Sequence, residues 1–310
     1  MSTGVLVMAH GTPAAPEELE AFYTRIRRGR PPSPEQLDEL RARYDAIGGV
    51  SPLSARTAAQ VAALEAALAR HGERRYVVRL GAKHTEPFVE DAAAALVGAG
   101  VDSVVGLVLT PHGSSMGSGE YLARARAALD DRVQFVPIDR WYAHPGFVRL
   151  MAGRVHHALD TLGSRTAQHR CPVVFTAHSL PTRVVESGDT YPEQLEESAH
   201  LVAEEAALTR WSVAWQSAGR TPEPWLGPDV RDVVRRLAET ARQDAVVICP
   251  IGFVADHLEV LYDIDVELAA IAGEVGLRMV RTASLNEDPA FIDVLADEVR
   301  YAVERAGCTP

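Results

Sequence analysis

Short runs of Val, Ile, Leu and Ala recur between longer stretches in which apolar residues return every three or four positions, the pattern of buried parallel strands alternating with covering helices. Strands are predicted near 4–9 (GVLVMA), 76–81 (YVVRLG), 103–110 (SVVGLVLT) and 132–138 (RVQFVPI). A second set falls near 172–177 (PVVFTA), 211–216 (WSVAWQ), 245–250 (AVVICP) and 277–281 (LRMVR). The helical pattern fits between them, from Pro16 to about Arg28, Pro34 to Ile47, Arg56 to Ala69, Glu86 to Ala99 and Gly119 to Leu129 in the first half. In the second half it covers about 145–162, 192–208, 228–242 and 256–272, with a last helix from Pro289 to Ala306. Proline at a first helical position opens several of these, because its φ is preset and its missing N–H has no intrahelical partner to lose. Four strands plus four predict an α/β chain of two similar halves, 1–143 and 144–288, followed by a C-terminal helix in 289–310 that can pack on either half.

Composition narrows the picture. In 310 residues, 31 Lys and Arg face 42 Asp and Glu, a net charge of −11, and 47% are apolar. That apolar share fills two cores and excludes disorder. The acidic total argues against nucleic-acid binding. No apolar run approaches the ~18 residues needed to span a bilayer, and MSTGVLVMAHGTP lacks the basic start of a secretion signal, so a soluble, unprocessed cytoplasmic protein is expected. Cys171, Cys249 and Cys308 are far apart with no Cys-x-x-Cys pair, which argues against disulfides, a structural zinc site or a four-thiolate cluster.

Three strands end alike: VLVMAHG (5–11), LVLTPHG (107–113) and VVFTAHS (173–179) each place a His, respectively His10, His112 and His178, before a small residue. Ligands bind beyond the carboxyl ends of strands in open parallel sheets, so these histidines are expected to converge on one cleft if the halves face each other. In DHLEVLYDIDVE (256–267), Glu259, Asp263 and Glu267 fall at i, i+4 and i+8, one stripe of an α-helix. Like charges so spaced cost a helix roughly 0.2–0.5 kcal/mol per pair. A divalent cation would offset that cost; a solvated acidic face is the alternative. The helix leaves the strand edge that carries His178, and imidazole with carboxylate suits Fe(II) or Zn(II) and can also move protons. Arg25 to Arg30 holds four arginines, followed by Arg41, Arg43 and Tyr44, a set able to hold a polycarboxylate near His10 or, more plainly, to face helix dipoles. Gly113 to Gly119 fits neither phosphate-loop pattern, and no G-x-S-x-G nucleophile elbow occurs.

In order along the chain, MAHGTP, YTRIRRGRPP, RYDAIGGVSPLS, GAKHTEPFVEDA, LTPHGSS, TAHSLPTRVVESGDTYPEQLEESAHLVAE, WQSAGRTPEPWLGPDV and CPIGFVADHLEVLYDIDVE resemble the ferrochelatase family, nearest to its Gram-positive-type members that act on coproporphyrin III. The resemblance implies two Rossmann-like, flavodoxin-like halves of the chelatase type, each with a four-stranded parallel sheet, and a porphyrin in the cleft between them. It implies Fe(II) insertion into coproporphyrin III in haem biosynthesis, with His178 and Glu259 as the catalytic pair at the metal-insertion centre. Asp263 and Glu267 would continue the metal path, while His10, Arg27, Arg43, Tyr44, Ser51 and Tyr121 match positions that contact the macrocycle or its propionates. Lys83 and His84 match a nearby polar segment. Where the resembled enzymes commonly carry Tyr in an AYGTP pattern this chain has His10, so an axial iron ligand there would be imidazole. Porphyrin and Fe(II) are the implied partners, with neighbouring haem-pathway enzymes; no permanent cofactor, no [2Fe–2S] cluster and a monomer are expected. The alternatives are a chelatase for another metal or a sirohydrochlorin-like ring, and a non-catalytic porphyrin carrier that uses His10 as a permanent ligand.

Overall fold

All eight predicted strands are present in the computed structural model, which describes residues 2–70, 74–163, 171–239 and 244–307. Strands β1 (Ser2–Ala9), β2 (Arg75–Ala82), β3 (Ser103–Val108) and β4 (Gln134–Ile138) form a parallel sheet in the order β2-β1-β3-β4. Strands β5 (Val173–His178), β6 (Trp211–Gln216), β7 (Ala245–Cys249) and β8 (Arg278–Arg281) form a second parallel sheet in the order β6-β5-β7-β8. The first strand of each set lies inside its sheet, so the same topology occurs twice. The central strands read as unbroken apolar runs because helices cover both faces: β1 is buried from Thr3 to Ala9 and β3 throughout.

The chain divides into two compact units, one of Met1–Trp141, Ala255–His257 and Leu285–Pro310, the other of Tyr142–Val254 and Leu258–Ser284. In the first unit a 3₁₀ turn at Pro16–Glu18 leads into α1 (Leu19–Ile26), followed by α2 (Pro34–Ala46), α3 (Leu53–Arg70), α4 (Val89–Gly98) and α5 (Ser118–Ala128). The second carries α6 (Pro145–Asp160), α7 (Tyr191–Glu205) and α8 (Val230–Glu239). The last helix, α9 (Pro289–Arg305), packs on the first unit, where Phe291 lies 5.7 Å from Trp141 between ring centroids and Asp293 meets Arg70 at 3.3 Å.

Each unit has its own core. Leu6, Met8, Leu96, Val104 and Leu129 lie in the first, and Val174, Val234, Ile248, Ile264 and Leu268 in the second. Burying such a side chain fully contributes roughly 1.5–3 kcal/mol, which holds the strand ends at fixed positions. Cys171 and Cys249 are buried free thiols, Cys308 lies outside the described residues, and so does the end of the helix predicted over 228–242. Among the described residues no helix is long and apolar enough to cross a membrane.

One predicted element is different in kind. The continuous α-helix expected over 256–272 is instead an α turn at Leu258–Leu261, a π turn at Asp263–Leu268 and a further α segment at Ala269–Glu274. The Tyr262 carbonyl accepts from Glu267 N–H at 2.9 Å, the i+5 bond of a π turn, as well as from Val266 N–H at 3.2 Å. Such wide turns are frequent at functional sites.

Candidate active site

In the second unit β5 delivers His178 at its last residue, where the buried strand reaches the surface of the sheet's carboxyl edge. Its Nδ1 faces the Ser179 carbonyl, which only accepts, so that nitrogen carries the proton and Nε2 points to Glu259 Oε1 at 3.5 Å. Both side chains are about one-third exposed, at 34% and 33%. Burial pushes the imidazole toward its neutral form, but the charge and hydrogen bond of Glu259, the Ser179 carbonyl and the Asp263 charge outweigh it, and the pKa rises to about 9. The pair is therefore imidazolium beside carboxylate at neutral pH. Buried Tyr191 donates its hydroxyl to the His178 carbonyl at 3.2 Å.

Backbone and amide contacts tie the two side chains together. His178 is the register partner of Gln216 on β6, whose carbonyl accepts from Ser179 N–H at 2.7 Å. The Gln216 side chain donates to the Glu259 carbonyl at 2.9 Å and accepts from the Thr176 hydroxyl at 2.7 Å. Ser217, in the left-handed region at φ 58°, donates its hydroxyl to Asp263 Oδ2 at 2.5 Å.

The expected acidic stripe is thus divided among different partners. Glu259 faces His178, buried Asp263 accepts from Ser217, and Glu267 lies 3.7 Å from Arg231, itself held by Asp229 at 2.7 Å. These partners relieve the like-charge cost without a cation. Among the described residues no group of three or more His, Cys, Asp and Glu side chains is arranged to hold a metal ion; of His178, Glu259, Asp263 and Glu267, the first two face each other and the two remaining acids have partners of their own.

The first unit gathers a second group at the carboxyl ends of β1 and β2. His10 is exposed, its Nδ1 3.0 Å from the Gly11 carbonyl. Gly11 turns the chain at φ +82°, where a Cβ would lie 2.3 Å from Thr85 Oγ1. The His10 and His84 rings lie 4.6 Å apart between centroids, with Phe22 packed edge-on at 5.9 and 6.2 Å. Burial, then the neighbouring His10 and Lys83, lowers the His84 pKa to about 3, so it is neutral. Lys83 pairs with Glu120 at 2.7 Å and sits 5.2 Å over the Tyr121 ring. Tyr44, buried on α2, meets the Thr12 hydroxyl at 3.1 Å. Arg27 donates Nε–H to the Arg30 carbonyl at 3.2 Å, Ser51 accepts from Leu53 N–H at 3.3 Å, and Arg43 is half-buried in the last turn of α2.

His112, unlike exposed His10, is buried. It follows β3 by four residues rather than ending it, and the intervening Leu109-Thr110-Pro111 turn carries it inside, 1% exposed, where burial drops its pKa to about 3. The residues that spacing missed are Thr12, Phe22, Thr176, Tyr191, Gln216 and Ser217. Gln216 and Ser217 show only as polar residues at and just beyond the end of β6, Thr12 as one just beyond β1 and Thr176 as the polar residue within β5, while Phe22 and Tyr191, on α1 and at the start of α7, carry no signal that sets them apart from core aromatics.

The sequence model of the family described as Ferrochelatase matches residues 2–303. A coproporphyrin III ferrochelatase of Geobacillus thermodenitrificans is 44% identical over 309 residues, 99% of this chain and 98% of that protein. One of Halalkalibacterium halodurans is 45% identical over 302 residues, 96% of each. Among solved structures, SirB from Bacillus subtilis with Fe3+ has a TM-score of 0.60 at 14% identity, covering 100% of this chain and 98% of that one. CbiX, described as the terminal enzyme of sirohaem biosynthesis in denitrifying bacteria, has a TM-score of 0.56 at 16% identity, covering 96% and 99%. Those two likenesses show the chelatase-type fold of paired parallel sheets, and the whole-length sequence match shows that the chain belongs to the ferrochelatase family.

Proposed function

We propose that this chain inserts Fe(II) into coproporphyrin III to give coprohaem, a lyase reaction of haem biosynthesis that releases the two pyrrole protons. The observation that carries the site assignment is the His178 Nε2 and Glu259 Oε1 pair at the carboxyl end of β5. Two ligand atoms around an ion held at about 2.1 Å in tetrahedral geometry lie about 3.4 Å apart, close to the separation found. A pair rather than a closed cage suits a metal that must be passed on. At neutral pH His178 carries a proton, so iron reaches Nε2 only as that proton leaves. Glu259 is then the carboxylate positioned to take a proton from a pyrrole N–H, and a bent ring exposes those nitrogens.

For the ring itself, we assign exposed His10 and half-buried Arg27 and Arg43 to direct contact, Arg because a guanidinium pairs with propionate through two donors. Tyr44, Ser51 and Tyr121 are buried at 3%, 6% and 7%, which fits shaping of the surface on which the ring rests. Metal and ring both arrive as substrates, so the reaction needs no resident cofactor. The buried Cys171 and Cys249 thiols, pushed up to about 11 and about 12, stay protonated. We assign the enzyme to the cytoplasm, where it would exchange its ring with neighbouring haem-pathway enzymes, a reading that the net charge of −11 suits.

The test is anaerobic Fe(II) insertion into coproporphyrin III followed by absorbance. His178→Ala and Glu259→Gln are each expected to lose at least roughly 100-fold in kcat while binding the porphyrin within about threefold of wild type. Full activity in His178→Ala, or no insertion by the wild type, rejects the proposal.

A further inference from the structure

We infer that Gln216 is the positioning residue that sets the standoff between His178 and Glu259, which rests on reading those two as the metal-insertion pair. At 3.5 Å the hydrogen bond between their side chains is long and weak, so it does not by itself fix the distance. Gln216 does so through three bonds. Its backbone carbonyl holds Ser179 N–H at 2.7 Å, next to His178, and its side-chain amide donates to the Glu259 carbonyl at 2.9 Å. A carbonyl only accepts, so the NH₂ end must face Glu259 and the oxygen end must face Thr176, whose hydroxyl donates at 2.7 Å. Thr176 thus fixes the amide's orientation.

The amide is 2% exposed and Thr176 fully buried. Packing alone would favour an apolar side chain there, because a buried amide costs stability unless both of its ends are bonded. The next residue grips the same segment again: Ser217, in the left-handed region, bonds Asp263 four residues after Glu259. A non-glycine residue is held there only by its surrounding contacts. Gln216 and Ser217 therefore hold the start of the acidic segment at two points, on either side of Tyr262, whose carbonyl begins the π turn.

The experiment measures kcat and porphyrin KM for anaerobic Fe(II) insertion into coproporphyrin III, with thermal melting and His178→Ala as reference. Misplacing a reacting group by about 1 Å costs up to ~100-fold in rate. Gln216→Met keeps the side chain's length and removes both amide bonds, the donor to Glu259 included, so kcat is expected to fall about 10- to 100-fold with porphyrin KM within about twofold. Thr176→Val removes only the orienting hydroxyl and is expected to lose about 3- to 10-fold with the same KM pattern, and Thr176→Ser to recover most of that loss. A folded Gln216→Met protein with kcat within about twofold of wild type overturns the inference. Should Gln216→Met not fold, the threonine pair decides, and equal losses in Thr176→Val and Thr176→Ser overturn it. Undiminished activity in His178→Ala would instead remove the reading of the pair on which the inference stands.

Discussion

A Cβ added at Gly252 would lie 2.5 Å from the Cβ of Ala177 and 2.9 Å from its Cα, on the residue that precedes His178. The same glycine donates its N–H to the Thr176 carbonyl at 3.0 Å, so the loop after β7 rests directly on the end of β5. Neither the Ala177 backbone nor its methyl can rotate away, and Gly252→Ala must push loop and strand apart. Overpacking of this kind costs about 1–3 kcal/mol, which lowers the melting temperature by several degrees. Because the displaced strand end carries His178, kcat is expected to fall further than the fraction of folded protein does, and a melt and a rate measured on the same preparation check this. At this scale spacing reveals residues that carry charge in a pattern, such as His178 and Glu259. It is silent on Gln216, which reads as the polar end of a strand, and misleading for His112, whose motif copies that of His10 although a Thr-Pro turn carries it inside.

Elements were legible where one physical rule governs them. Parallel strands buried on both faces must be continuously apolar, so all eight stand out. The π turn does not, because i→i+4 and i→i+5 bonding satisfy nearly the same apolar periodicity, with Ile264 and Leu268 facing the core in either case. The acidic stripe inferred from ideal α spacing was consequently a line of three acids, and the folded chain gives each a different partner. Capping is another legible signal. Ser33 accepts from Gln36 N–H at 3.3 Å and Gln36 Oε1 accepts from Ser33 N–H at 3.0 Å, a reciprocal box that opens α2. This helix buries only Leu37 and Tyr44 yet carries Arg43, so its start depends on the cap more than on packing. Ser33→Ala is expected to cost about 1 kcal/mol and to speed amide hydrogen exchange in the first turn of α2, with Ser33→Gly milder. Unchanged exchange there would show that packing alone holds the helix.

At the scale of the whole molecule, the net charge of −11 conceals groups that act in opposite directions on stability. His112 and His84 have pKa values near 3 in the folded chain and about 6.5 when unfolded, chiefly through burial. Between those values the unfolded chain binds more protons, so stability falls as pH drops below about 6.5. For fully buried His112 the slope approaches about 1.4 kcal/mol per pH unit. His178 has the reverse sign, since Glu259 and its other partners raise it to about 9: its contribution is complete below about 6.5 and is lost as pH rises toward 9. Down to about pH 5 ordinary carboxylates remain ionised in both states, so the histidines dominate the intervening range. Together they place the stability maximum near pH 6.5. Urea denaturation from pH 5 to 9 measures it. His112→Gln is expected to flatten the acid limb whatever it does to absolute stability, and His178→Ala to flatten the alkaline limb. A wild-type curve that keeps rising from pH 6.5 to 8 would mean that the His178–Glu259 pair contributes no net stability to the fold.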